Sequence, residues 1–322
     1  MPPTPRHTQR AAWVDAARCL AMLLILWLHS SAQPMPWLSE PVGGGICLFF
    51  ILAGRFMPEE PGAAARRALR LGLAWALWSM LSLGLYILAQ PGVEWTWARA
   101  FGWGEPAYNT PLWFLRNLCL YQLILAALGA LHLLPRYGWL LLALLLGATY
   151  AAEPAQHVGL RFDWLSAVLL GRCLRPLPLD HLRSRLVEHA PALLTAGLLL
   201  LCQRHWYPRL LTSLGVHSYA SSLHIAELAW AVAYLLAGIG ILRLCRPLGQ
   251  LMAQTGPCML FIYAAHSLAY APLYRLELPS LCRLALMTLL LALLTLLYKA
   301  MAYCAARNPI ASALRKRLQK NT

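Results

Sequence analysis

The chain has 322 residues, of which 60% are hydrophobic and 12% are charged, and its formal net charge is +15. Soluble domains carry about 25% charged residues, so this composition excludes an ordinary soluble protein and indicates an integral membrane protein. The cations lie between hydrophobic runs and form no compact basic region, which excludes nucleic acid as the expected partner and favours the lipid bilayer.

Leucine-rich segments recur along the sequence, most of them near the roughly 20 apolar residues that a helix needs to cross a bilayer. They predict an all-α, polytopic transmembrane helical bundle of about ten spans, folded as a single domain over residues 1–322. We expect no cleavable signal peptide, because the first apolar run lacks a small-residue cleavage site. The predicted spans are 13–33, 43–57, 68–89, 111–132, 137–152, 163–174, 187–203, 222–243, 257–274 and 283–304.

Lysine and arginine predict the orientation of the bundle, since both accumulate on the cytoplasmic side of membrane proteins. With ten spans and both termini inside, nineteen of the 27 cations fall in or beside inner segments and six in outer ones. The remaining two, Arg18 and Arg116, lie within spans. The segments 1–12 and 305–322 are therefore the expected cytoplasmic tails.

The nine cysteines are scattered singly, with no Cys-x-x-Cys pair and no histidine at metal-ligand spacing. They are typical of small packing residues, and we expect no metal site.

The first span carries ionisable residues in a run that is otherwise hydrocarbon. Arg18 and His29 are eleven residues apart, which places them on one helix face, about 16 Å apart along the axis. Asp15 precedes Arg18 by three residues, close enough for an ion pair. Alone, Arg18 fits a snorkelling arginine and His29 a packing histidine. Their shared face favours a wet cavity or a functional path.

The segment WVDAARCLAMLLILWLH resembles the first helix of acyltransferase family 3, integral membrane acyltransferases in which ten residues separate an Arg from a His. Arg18 and His29 have that spacing. The segments GGGICLFFILAGRF, ARRALR, PLWFLRNLCLY and MLFIYAAHSLAY are similar to later elements of the family in the same order. The resemblance therefore covers nearly the whole chain, in the family's stand-alone membrane form.

The resemblance implies a membrane-bound O-acyltransferase of the O-acetyltransferase type in a bacterial cytoplasmic membrane. Its donor would be cytoplasmic acetyl-CoA or another short acyl-CoA, its acceptor a hydroxyl of a cell-surface or envelope glycan or glycolipid, with no tightly bound cofactor. His29 would be the reacting centre, either as the general base or as the group that is itself acylated. Arg18 would bind the donor, oriented by Asp15.

Arg66, Arg67 and Arg70 lie at the inner mouth of the third span. Without the resemblance they fit ordinary positive-inside charge. Arg67 and Arg70 match the Arg-x-x-Arg of the family, which implies that they bind the phosphates of the donor.

A second group of candidates for substrate binding lies in later spans. Arg116 also fits an interfacial anchor, and Tyr263 with His266 also fits helix packing. Glu227 forms a polar patch with His224. The full group is Arg116, Trp113, Tyr263, His266 and Glu227.

Two positions depart from the family pattern. Ala53 stands before Gly54 where the family often has Ser, and Asn117 follows Arg116 where related sequences commonly have Asp. These departures keep open a catalytically inert membrane partner. A transporter or flippase of a glycan or lipid precursor also fits ten spans with an internal polar stripe, although we find no convincing internal repeat.

Overall fold

The computed structural model describes residues 11–30, 36–89, 94–102, 109–151, 161–199, 219–270 and 278–307. These residues form helices and connecting turns without a strand, which confirms the all-α prediction. The α-helices are α1 (Ala12–His29), α2 (Pro36–Arg55), α3 (Pro61–Ala89), α4 (Trp97–Phe101), α5 (Trp113–Ala130), α6 (Leu133–Ala151), α7 (Phe162–Cys173), α8 (Leu179–Glu188), α9 (Ala190–Leu199), α10 (Tyr219–Leu244), α11 (Arg246–Ala253), α12 (Met259–Tyr270) and α13 (Ser280–Arg307).

Within the described part of the chain, six helices are long and apolar enough to cross a membrane: α1, α2, α3, α5, α10 and α13. Each of the ten predicted spans overlaps a described helix, but four of them fall on α6, α7, α9 and α12, which are not among the six. Residues 31–33, 152, 200–203 and 271–274 of the predicted spans lie outside the described part of the chain. Ten crossings and the location of both termini therefore stay predictions.

The helix α3 begins at Pro61, seven residues before the predicted span. Proline suits the first turn of a helix, and the alanines and arginines that follow have high helix propensity. The arginine cluster therefore lies on the helix itself.

The Trp-rich segment after α3 contains the short helix α4. Thr96 caps it, since its hydroxyl oxygen accepts a hydrogen bond from the Arg99 N–H at 3.1 Å. Gly102 ends it in the left-handed conformation, with φ of 65°. The polar connection after α7 folds as α8.

Glycines allow two pairs of helices to pack with their backbones close together. A Cβ atom on Gly54 of α2 would lie 1.8 Å from the carbonyl oxygen of Val168, and one on Gly171 of α7 would lie 1.8 Å from that of Ile51. The contact between α2 and α7 therefore requires glycine on both helices. Gly43 of α2 similarly makes room for the Glu227 side chain of α10.

Exposed leucines cover the outer faces of α3 and α13, among them Leu73, Leu77, Leu293 and Leu296. Apolar surface of this extent is typical of contact with lipid acyl chains. In contrast, α1 is largely buried and contacts α2, α10, α11, α12 and α13. The helix that bears Arg18 and His29 is thus at the centre of the bundle.

Candidate active site

A cavity of about 390 Å³ lies between α1, α2, α3, α5 and α12, next to the Arg18 end of α1. Its described wall is apolar except for Asp15, Arg18, Arg67 and Tyr263. An apolar pocket with a few convergent polar groups is typical of a site for a small organic ligand. The two arginines favour an anionic group at their end of the cavity.

Arg18 and Asp15 form the ion pair that their spacing predicts. The Arg18 Nη1 atom lies 3.0 Å from the Asp15 Oδ1 atom, with 24% of the arginine side chain and 6% of the aspartate side chain exposed. The guanidinium carbon also lies 5.8 Å from the centre of the Phe49 ring, within the range of a cation–π contact. The guanidinium is thus held at the cavity wall from two sides.

The Asp15 carboxylate also contacts the turn that precedes α12. A Cβ atom on Gly256 would lie 2.3 Å from the Asp15 Oδ1 atom, so glycine is needed for this approach. Gly256–Cys258 is a 3-10 turn that leads directly into Met259 of α12. The start of a helix favours negative charge, so Asp15 joins α1 to the first turns of α12.

The three arginines of α3 have different surroundings. Arg67 is half-buried, lines the cavity and donates a hydrogen bond to the carbonyl oxygen of Phe56. Arg66 is exposed and pairs with Glu60, with 3.6 Å between Nη2 and Oε2. Arg70 is exposed, and its Nε atom lies 3.4 Å from the carbonyl oxygen of Arg66. Only Arg67 of this cluster is in the described cavity wall.

His29 is the last residue of α1, eleven residues after Arg18, and is outside the described cavity wall. Its ring centre is 5.4 Å from that of His266, and the two rings are tilted by 44°. His266 is fully buried on α12, and its Nδ1 atom lies 2.6 Å from the carbonyl oxygen of Tyr263. Because Tyr263 lines the cavity, this residue connects the cavity wall to the two histidines.

The family model described as an acyltransferase domain matches residues 11–301, which is most of the chain. The chain belongs to acyltransferase family 3. A search of curated proteins and a search of solved structures found no significant match. Family membership confirms the resemblance read from the five segments, and the protein is a membrane acyltransferase.

Asn109 is a polar residue of this family 3 acyltransferase that the sequence analysis missed. It is buried, and its amide nitrogen donates to the Ser82 hydroxyl at 3.3 Å and to the Ala264 carbonyl at 3.1 Å. Its amide oxygen accepts a hydrogen bond from the Ser267 hydroxyl. Asn109 therefore joins α3 to the part of α12 on both sides of His266. The only local signal is the turn-forming Asn-Thr-Pro sequence.

Of the five predicted substrate-binding residues, only Tyr263 lies in the described cavity wall, whereas His266, Trp113, Arg116 and Glu227 lie outside it. Trp113 stacks on Trp164, with 4.3 Å between ring centres and 14° between planes. Arg116 is buried and donates a hydrogen bond to the Gly102 carbonyl. Glu227 of α10 is buried against Gly43, whose Cβ atom would lie 2.6 Å from Oε1. These positions favour roles in packing or in positioning.

The two departures from the family pattern have local consequences. The Arg116 Nε atom donates to the Asn117 amide oxygen at 3.2 Å, so this contact exists without a negative charge. Ala53 lines the cavity next to Gly54, and its methyl group makes this part of the wall apolar.

Proposed function

We propose that this protein is an O-acyltransferase that uses acetyl-CoA or another short acyl-CoA from the cytoplasm. The acceptor is a hydroxyl of a cell-surface or envelope glycan or glycolipid, and the location is a bacterial cytoplasmic membrane. The observation that carries the proposal is the arrangement of α1. Arg18, in its first half, lines the cavity, and His29, its last residue, lies next to His266.

The charged residues in the cavity wall support the donor assignment. Acyl-CoA is an elongated molecule with anionic phosphates at one end and the reactive thioester at the other. Arg18 and Arg67 lie in the same cavity wall and offer two guanidinium groups for phosphate oxygens. Asp15 holds the Arg18 guanidinium in place through the 3.0 Å contact. With the phosphates at this end, the thioester extends along α1 towards His29.

His29 can serve acyl transfer by two sequences of steps, one direct and one through an acylated histidine. In the direct order, the acceptor oxygen attacks the thioester carbonyl, His29 takes the hydroxyl proton, the carbon–sulfur bond breaks, and the proton passes to the leaving thiolate. In the two-step order, a nitrogen of His29 attacks the thioester carbonyl, and the carbon–sulfur bond breaks to release the thiolate. The acceptor oxygen then attacks the acyl carbon, the carbon–nitrogen bond to His29 breaks, and the hydroxyl proton passes to the thiolate. Both orders need the imidazole close to the end of the donor cavity.

The rival function is transport of a glycan or lipid precursor without acyl transfer, and an inert membrane partner is the third alternative. Hydrolysis or transfer of the acyl group by purified protein distinguishes the acyltransferase from a transporter and from an inert partner, because neither of these cleaves a thioester. Radiolabelled acetyl-CoA, incubated with the protein in detergent or nanodiscs, provides the assay.

His29→Ala tests the assignment of the reacting centre. General acid–base catalysis contributes about 10² to 10⁴ in rate, so acylation of surface glycans should fall by that factor in a deletion strain that carries the variant. His181→Ala, which changes an exposed histidine of α8, is the matched control and should leave acylation unchanged. A membrane-abundance blot accompanies both variants. Full acylation by a well-expressed His29→Ala protein would overturn the enzymatic role of α1.

A further inference from the structure

We propose that Arg175 is a positioning residue for the donor site, because it holds the connection between α2 and α3, and this connection in turn holds Arg67 at the cavity. The connection comprises residues 56–60, between Arg55 at the end of α2 and Pro61 at the start of α3. The inference rests on the proposed function, in which Arg67 binds the phosphates of acyl-CoA.

Two successive carbonyl groups of this connection accept hydrogen bonds from arginines in different parts of the chain. The Phe56 carbonyl accepts from Arg67 of α3, and the Met57 carbonyl accepts from Arg175, which follows α7. The N–H groups of Phe56 and Met57 bond back to carbonyls of α2, at 3.0 Å and 3.2 Å. Carbonyls at the end of a helix lack partners within that helix, so the two guanidinium groups supply the missing donors. A rotation of the chain that moves one of these carbonyls also moves the other, because they belong to adjacent residues.

Arg175 makes a second contact with the same connection. Its Nε atom lies 3.1 Å from the Oε1 atom of Glu59, and 29% of the arginine side chain is exposed. One guanidinium thus binds both a carbonyl and a carboxylate, which its rigid fork of N–H donors allows. The Glu59 side chain is 74% exposed, so the ion pair contributes little and the bond to the Met57 carbonyl is the one that holds the chain.

A reciprocal pair of bonds fixes the position of Arg175 itself. Arg55 is buried and donates to the carbonyls of Leu174 and Leu177, which lie before and after Arg175 in the chain. The end of α2 therefore binds carbonyls that follow α7, and the segment after α7 binds a carbonyl that follows α2. The glycine contact between the two helices lies beside these bonds, since a Cβ atom on Gly171 would lie 2.9 Å from the Arg55 backbone nitrogen.

These contacts reach the donor cavity through Phe56 and Arg67. Both residues are in the cavity wall, whereas Arg175 is outside the described wall. A long side chain loses conformational entropy when it binds a ligand, and it loses less when a hydrogen bond already fixes its direction. Arg175 would therefore act on donor binding through Arg67, or else through the long-range effect of its charge. Salt dependence and a double-mutant cycle separate these two routes.

The test is binding of a non-hydrolysable acetyl-CoA analogue to purified protein by titration calorimetry, with thermal unfolding measured in the same detergent. Arg175→Met removes the charge and the hydrogen-bond donors but leaves an unbranched side chain. Arg175→Lys keeps the charge and one donor nitrogen. Arg183→Met is the matched control, because it removes the same charge from an exposed arginine of α8 whose ion-pair partner is Asp180 of its own helix.

We expect Arg175→Met to weaken binding of the analogue about three- to tenfold, and Arg183→Met to change it by less than about twofold. Arg175→Lys should recover part of the loss, since its ammonium group can still donate to the Met57 carbonyl. The loss should persist at high salt, because salt screens a long-range charge and leaves a positioning contact intact. In the Arg67→Gln background, Arg175→Met should weaken binding by no more than about a further twofold, because the residue through which it acts is gone.

Wild-type affinity of Arg175→Met, or losses that multiply in the double variant, would overturn the positioning role. If Arg175→Met is unfolded at the temperature of the titration, Arg175→Lys takes its place in the same cycle with the same criterion. A wild-type protein that does not bind the analogue would instead remove the proposed function on which the inference rests.

Discussion

The two arginines that match the family's Arg-x-x-Arg should differ sharply in their effect on donor binding. Arg67 lines the cavity and is half-buried, whereas Arg70 is exposed and lies outside the described cavity wall. A charge-assisted hydrogen bond contributes about 1.5 to 3 kcal/mol, so Arg67→Gln should weaken acyl-CoA binding about ten- to a hundred-fold. An exposed charge contributes about 0 to 1 kcal/mol, so Arg70→Gln should weaken it by about fivefold or less.

The measurement is binding of a non-hydrolysable acyl-CoA analogue to purified protein by titration calorimetry, at low and at high salt. Salt should erase the Arg70→Gln effect, because exposed charges are screened, and should reduce the Arg67→Gln effect only in part. Arg67 also donates a hydrogen bond to the Phe56 carbonyl oxygen. Binding by Arg67→Lys, with thermal unfolding measured in parallel, checks that loss of this hydrogen bond is not the cause of weaker donor binding. Equal losses in the two Gln variants would refute the placement of the phosphates inside the cavity.

Three further predictions concern the bundle. Gly171→Ala should destabilise the protein by about 1 to 3 kcal/mol or more, because its Cβ atom would lie 1.8 Å from a carbonyl oxygen of α2. Gly84→Ala is the control in thermal unfolding, because a Cβ atom at Gly84 has no neighbouring atom within 4 Å, and it should stabilise the protein slightly. Equal melting temperatures of the two variants would contradict the close contact between α2 and α7. A reporter fused after Thr322 should be cytoplasmic, and a periplasmic signal would make the number of spans odd. Ala53→Ser should keep acylation within a few-fold of wild type, and a large gain would show that the missing hydroxyl limits turnover.

Local sequence spacing accounts for the parts of the site that lie within one helix. Asp15 and Arg18 are one turn apart, so their ion pair follows from helix geometry alone. The face shared by Arg18 and His29 follows in the same way. The apolar periodicity and the length of each run likewise locate the helices, although the charged start of α3 was missed because arginines reduce the hydropathy there.

Contacts between distant segments account for what the sequence did not reveal. Arg67 and Arg70 differ by about 60° around α3, and which of them faces α1 depends on how α3 packs against α5 and the rest of the bundle. Asn109 binds a carbonyl 155 residues later in the chain, and no local pattern indicates that partner. The proximity of His29 to His266 has the same origin, since it depends on how α1 and α12 pack.

The helices α1 and α12 run in the same direction, because Asp15 contacts the turn before α12 and His29 contacts His266 near its other end. Because α1 and α12 are in contact near both of their ends, neither helix can slide or rotate against the other without breaking one of these two contacts. Movement that admits the bulky head of a donor must therefore come from α2, α3 and α5, which form the facing wall. Arg18 and His29 are therefore kept about 16 Å apart along the axis of α1 by the rise of that one helix, and a ligand that reaches both residues has to match this length.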